Sequence, residues 1–177
     1  MTDDVRSLID RSSEARRVRD QAAAVELAQS AIEAAREAND RVVLGEALAA
    51  LGRLRRDERD LDAAVKLYEE AAAIAREQGD WSALAHRLRH IGDIAVEQGD
   101  LARAEDCYSQ AGELFDRLQT DQLDRANFLR SKALLKEKQG ANAAAAQLWS
   151  EARALYSATG IEAGVKESDR RLAQLKR

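Results

Sequence analysis

The chain has 177 residues, a net charge of −4 and a pI near 5.4. With 45% apolar, 34% charged and 4% aromatic residues and no proline, it reads as an all-helical protein with an Ala- and Leu-based core, not as a disordered one. The acidic balance argues against a general binder of nucleic acid or anionic membranes, the single cysteine excludes an internal disulfide, and no run approaches the roughly 18 apolar residues of a membrane-spanning helix. The opening MTDDVRSLID lacks the apolar stretch of a secretory signal, so a cytoplasmic protein is expected.

A block of roughly forty residues recurs along the chain, the mark of stacked repeats. The first block, residues 3–39, is the most degenerate, with Leu8, Ser12, Asp20, Ala24, Leu27 and Ala31 in register with later units. The second, 40–79, carries Leu48, Leu51 and Gly52 on a first helix and Ala64, Leu67, Tyr68, Ala71 and Ile74 on a second. Arg59 stands there where the third block has Gly99, but the capping aspartate, Asp60, is kept. In the third block, 80–119, Leu84, Leu88, Ile91 and Ala95 form one apolar face, and Ala104, Cys107, Tyr108, Ala111 and Phe115 form another. Gly99 supplies a left-handed stop between them and Asp100 caps the next helix. The fourth, 120–160, matches only with one extra residue, which places an insertion near Thr120. The segment 161–177 predicts one amphipathic helix that shields the last hairpin, with a helix swapped into another chain as the rival.

Small residues at Gly52, Gly92 and Ala133 are expected to face Ala64, Ala104 and Ala145, letting paired helices approach, while Tyr68, Tyr108 and Trp149 fill the space between hairpins. This pattern (Leu-x-x-Ile/Leu-Gly, an Ala twelve residues on, an aromatic four later and an Ala three later) resembles the tetratricopeptide repeat. The long period and Gly-Asp turns are similar to its forty-residue variant in kinesin light chains and bacterial regulatory proteins. The family's proline after the second helix is missing, and Gly-Asp punctuates in its place. The resemblance implies an all-α, right-handed superhelical stack of about four antiparallel helix hairpins, an α-solenoid, with a C-terminal capping helix in a single domain over 1–177.

The resemblance also implies that first helices line a concave groove. The first helices are net basic and the second helices net acidic, which favours an acidic peptide or protein segment as the partner. Register assigns Glu46, Arg53, Arg56, His86, Arg89, His90, Asp93, Asn127 and Arg130 to the groove, with Arg89 and Arg130 as a carboxylate fork. Some family members clamp a C-terminal carboxylate with Lys and Asn; Arg53, Asp93 and Leu134 stand where that clamp has asparagines, so its specificity is not carried over. His86 and His90 share a helix face without a third ligand, so no metal is expected, though the pair would make binding pH-sensitive. Cys107 reads as a buried thiol, and Trp81 as a contact or an inter-repeat packing residue. No phosphate loop, nucleophile elbow or dinucleotide fingerprint occurs, so neither enzyme activity nor a cofactor is expected. Self-association through the first hairpin or the terminal helix is the alternative, and RNA binding by the basic inner face a weaker one.

Overall fold

The computed structural model describes residues 2–176, which form nine α-helices and no strand. They are α1 Thr2–Arg17, α2 Gln21–Glu37, α3 Arg41–Asp57, α4 Leu61–Gln78, α5 Trp81–Gln98, α6 Leu101–Leu118, α7 Gln122–Lys138, α8 Asn142–Ala158 and α9 Glu162–Leu175. No helix among the described residues is long and apolar enough to cross a membrane. The chain divides into two compact units, Met1–Ile94 and Ala95–Arg177, with the boundary inside α5.

The turns set the fold, and they recur every twenty residues. A left-handed residue stands at Arg19, Asn39, Arg59, Gly79, Gly99 and Gln119, then at Gly140 and Gly160, with φ between 48° and 84°. After each, the next backbone N–H reaches back five residues to close the preceding helix: Asp60 to Arg55 O at 2.9 Å, Asp100 to Ala95 O at 2.9 Å and Ile161 to Tyr156 O at 2.9 Å. Except at Thr120, that same residue opens the following helix. The Asp20, Asp40, Asp60, Asp80, Asp100 and Asp121 carboxylates each accept a first-turn N–H, as Asp80 does from Ala83 at 2.9 Å. Ala141 and Ile161 have no such side chain, and α8 and α9 begin without a side-chain cap. The extra residue is Thr120, between left-handed Gln119 and the cap Asp121.

In the N-terminal unit α1 pairs with α2 and α3 with α4, while α3 also packs on α1 and α2. Buried alanines dominate the seams: Ala24, Ala28, Ala31, Ala47 and Ala64 are fully buried, which lets the helices approach closely. Gly52 gives room on this seam: a Cβ there would meet the Tyr68 ring at 3.2 Å and Leu67 Cβ at 3.4 Å. In the first hairpin Ser12 takes the corresponding position and is itself buried, its hydroxyl donating to Ala24 O at 2.8 Å.

In the C-terminal unit α7 packs on α6 and α8, and α9 packs on α8. Ala133, Ala145 and Trp149 form one core cluster with Leu172 and Leu175 of α9 against it. Ala126, Leu129, Ala152 and Tyr156 form a second, joined by Val165. Gly164 makes this docking possible, because a Cβ on it would overlap the Tyr156 ring. The Cys107 thiol is buried and forms no disulfide among the described residues.

Candidate functional site

The residues assigned to the groove fall on both units, and each unit arranges its share differently. In the N-terminal unit α3 contributes Arg53 and Arg56, α4 contributes Tyr68, and α5 contributes His86, Arg87, Arg89, His90 and Asp93. Asp93 is the centre. It is only 8% exposed, and its Oδ2 accepts from Arg89 Nη1 at 3.1 Å and from Arg56 Nη1 at 3.4 Å. A carboxylate taken out of water requires such partners, and two guanidiniums supply them. Asp93 is therefore a buried organiser of arginines.

His90 is also inside. Its ring stacks on Tyr68 with centroids 4.9 Å apart and planes 17° apart. Arg89 Nη2 lies 3.0 Å from His90 Nε2, and because a guanidinium can only donate, Nε2 accepts and the proton of the neutral ring sits on Nδ1. Burial, reinforced by Arg89, Arg53, Arg56 and Arg87, holds the His90 pKa well below 6.5. A pH-sensitive pair of groove histidines does not form from this residue, which stays neutral.

Arg87 was missed by register, which placed groove positions at 86, 89, 90 and 93. It lies deep enough for burial to lower its pKa, with Arg53 acting in the same direction. Tyr68 was read only as a packing residue. Its hydroxyl is buried, Arg53 stands near it but short of hydrogen-bond geometry, and burial raises its pKa against the opposing field of Arg53, Arg56 and Arg87. The one sequence signal for this cluster is the density of arginine at 53, 55, 56, 87 and 89.

Beside it, α3, α4 and α5 enclose an open cavity of about 300 Å³. Val42, Ala71 and Ile74 give it an apolar wall, and Glu46, His86 and Arg87 a polar one. Glu46 is also bridged to Arg6 of α1 at 3.3 Å. Trp81 is 46% exposed. Among the described residues no group of His, Cys, Asp and Glu could hold a metal ion.

In the C-terminal unit, Arg130 binds Glu167 of α9 side-on, Nε to Oε2 at 2.7 Å and Nη2 to Oε1 at 3.0 Å. Glu137 of α7 accepts from Arg171 of α9 at 3.0 Å and from Trp149 Nε1 at 2.5 Å, with the Arg171 guanidinium 6.0 Å above the Trp149 ring. Asn127 Oδ1 accepts from the Tyr156 hydroxyl at 2.9 Å. Both groove candidates of this unit are thus held by partners within it.

Residues 44–117 match the family model of the tetratricopeptide repeat, and residues 7–58 match that of anaphase-promoting complex subunit 5. Among curated proteins there is no match. Similar solved structures include BtubC (BKLC) from P. vanneervenii, 23% identical over 93% of this chain and 78% of that one, with a TM-score of 0.66. A kinesin light chain from Podosopora anserina with nearly identical TPR-like repeats is 13% identical over 99% of this chain and 96% of that one, TM-score 0.72. The Rap protein complexed with competence and sporulation factor is 17% identical over 97% of this chain, which spans 52% of that one, TM-score 0.69. At these identities the likeness shows the fold. The repeat match supports a protein-interaction module in the general sense.

Proposed function

We propose, from the match of residues 44–117 to the tetratricopeptide repeat model, that this chain is an adaptor whose first helices receive an acidic peptide or helix in a concave groove. The carrying observation is the arginine cluster of the N-terminal unit. Arg56 and Arg89 pair with one internal carboxylate, Asp93, while Arg53 and Arg87 add their charge to the field at the neighbouring His90, so the cluster keeps a positive excess. Glutamates and aspartates of a partner would be steered by that excess and paired there, while the apolar wall of the neighbouring cavity takes an aliphatic side chain. The activity is binding, and no catalytic step belongs to it.

A labelled glutamate-rich helical peptide serves as the probe, followed by fluorescence anisotropy against the full chain, with a lysine-rich peptide as control. Replacing Arg53 and Arg89 together by glutamate is expected to weaken the acidic probe at least about tenfold and to flatten its salt dependence. Unchanged affinity and unchanged salt dependence would overturn the reading.

A further inference from the structure

The seams between successive hairpins are filled by rings in the C-terminal unit. Counted back from the left-handed turn residues, Phe115 of α6 and Tyr156 of α8 hold the place that Ala75 holds in α4. Counted from the helix starts, Phe128 of α7 holds the place of Arg87 in α5, and Gly164 of α9 that of Ala83. Phe115 and Phe128 are almost wholly buried and pack together with centroids 5.2 Å apart. The Tyr156 ring, also buried, lies against Gly164, where a Cβ would overlap it. A ring thus occupies the seam between α6 and α7 and again the seam between α8 and α9.

The seam between α4 and α5 has Ala75, Ala83 and Arg87 at these places, and all three line the open cavity of about 300 Å³ described above. Gly45, Ala71, Ile74 and Ala75 on its wall are buried, whereas Val42, Gln78 and Ser82 are exposed, so the cavity is open to solvent. The seam between α2 and α3 shows the other solution. Its two places are Ala35 and Ala47, both buried, and there the helices close on each other directly. Arg87 is too long for that closure and too polar to fill apolar space itself. The lining atoms of such a void lack packing partners on one side, and its size reaches the lower end of the range for ligand pockets.

We propose that the cavity between α3, α4 and α5 receives one aromatic side chain of the bound partner, seated as Phe115 and Tyr156 are in their own seams. The inference rests on the acidic-segment reading above and sharpens the occupant of the cavity from an aliphatic side chain to a ring. Arginine charge then steers the segment, and the cavity fixes which residue anchors it. Three features select a ring. The hairpin places rings at this position in the α6–α7 and α8–α9 seams. Arg87 lines the cavity, and a cation against a ring face is favourable, as Lys132 Nζ shows 5.5 Å from the Phe128 centroid. The apolar wall of Val42, Ala71 and Ile74 faces company with the polar Glu46 and His86, a mixture that suits an amphipathic ring such as that of tyrosine.

The test begins without a partner. The full chain is titrated with phenol, the tyrosine ring alone, and with cyclohexanol, its saturated counterpart, while NMR follows the methyl resonances of Val42, Ile74 and Ala83. Saturable shifts are expected with phenol, and binding about fivefold weaker with cyclohexanol. Ala75→Phe supplies the ring of the other seams from within and is expected to abolish the phenol response. Ala83→Leu fills the same space from α5 and is expected to do likewise at the Val42 and Ile74 methyls, with thermal unfolding showing which variant folds. No saturable phenol shift in the unaltered chain, an equal response to cyclohexanol, or an undiminished response in a folded filled variant overturns the pocket. Two glutamate-rich helical peptides that differ only by one phenylalanine in place of alanine are then compared on the unaltered chain by fluorescence anisotropy. The phenylalanine peptide is expected to bind at least about tenfold more tightly, and equal affinity overturns the anchor. The two readings fail separately. Peptide binding that depends on Arg53 and Arg89 with no phenol response leaves the groove and removes the pocket; phenol saturation with neither peptide bound removes the acidic groove and leaves an aromatic-binding cavity.

Discussion

In the N-terminal unit Arg56 and Arg89 share one buried carboxylate, Asp93, while Arg53 and Arg87 act on the neighbouring His90 and have no salt bridge among the described residues. In the C-terminal unit Arg130 and Arg171 each have a dedicated carboxylate, Glu167 and Glu137. The hairpin is the same in both, so the difference lies in what the charges are for. Matched pairs fasten α9 onto its neighbours and leave little charge over. An unmatched cluster stores electrostatic cost in the folded state, which a ligand can relieve. A basic count along the sequence cannot separate these cases, because each arginine adds the same unit to the total.

The largest test of this contrast removes the shared carboxylate. Asp93→Ala removes the carboxylate shared by the half-buried Arg56 and Arg89 guanidiniums and should cost about 3 kcal/mol in denaturant unfolding. Glu167→Ala, whose partner Arg130 has a 36% exposed side chain, should cost about 1 kcal/mol or less. Equal losses would erase the distinction between the units. Acid probes the same cluster without mutation. As pH falls through 6.5 the unfolded chain protonates His90, while the folded chain, with its pKa pushed lower, refuses the proton. Stability should therefore decline on the acid side of 6.5 until the folded pKa is reached, and His90→Gln should remove that part of the slope. The groups facing the ring are Tyr68, Arg53, Arg56, Arg87, Arg89 and Asp93.

A steric change sharpens the other side of the contrast. Gly164→Ala drives a methyl into the Tyr156 ring and should cost about 2 kcal/mol by overpacking. Hydrogen exchange should then quicken along α9 and α8 and stay unchanged in α1 to α4. The smallest effect is a gain. Ile161→Asp gives α9 the side-chain cap that six other helices have, and should add about 1 kcal/mol in thermal or denaturant unfolding. Asp60→Ala should lose a similar amount.

The turns were the most legible part of the sequence. Gly79 and Gly99 announce left-handed stops, and the aspartate after each announces the next helix, because only a few residue types tolerate those positions cheaply. Arg19, Asn39 and Arg59 occupy the same conformation without glycine and were readable only by register with the later turns. The insertion near Thr120 was readable for the same reason. The site was less legible. Register assigned Arg53, Arg89, His90 and Asp93 alike to the groove and gave no sign that Asp93 is buried between two arginines, since a lone aspartate on an amphipathic helix usually faces water. Arg87 escaped because its role depends on where α4 brings Tyr68, a tertiary fact that periodicity does not carry. The pairing of Arg130 with Glu167 depends likewise on where α9 docks.

At seven of the eight turns one residue both seals the helix behind it and launches the helix ahead. Such a joint has no slack: adding or deleting one residue inside any helix would rotate everything downstream by about 100° and spoil its phase. Thr120 is different. Its N–H donates the sealing hydrogen bond to Phe115 O at 3.4 Å and leaves the launching role to Asp121. That separation makes the α6–α7 joint the natural splice point of the chain, where extra residues can be accommodated without retuning either neighbouring helix.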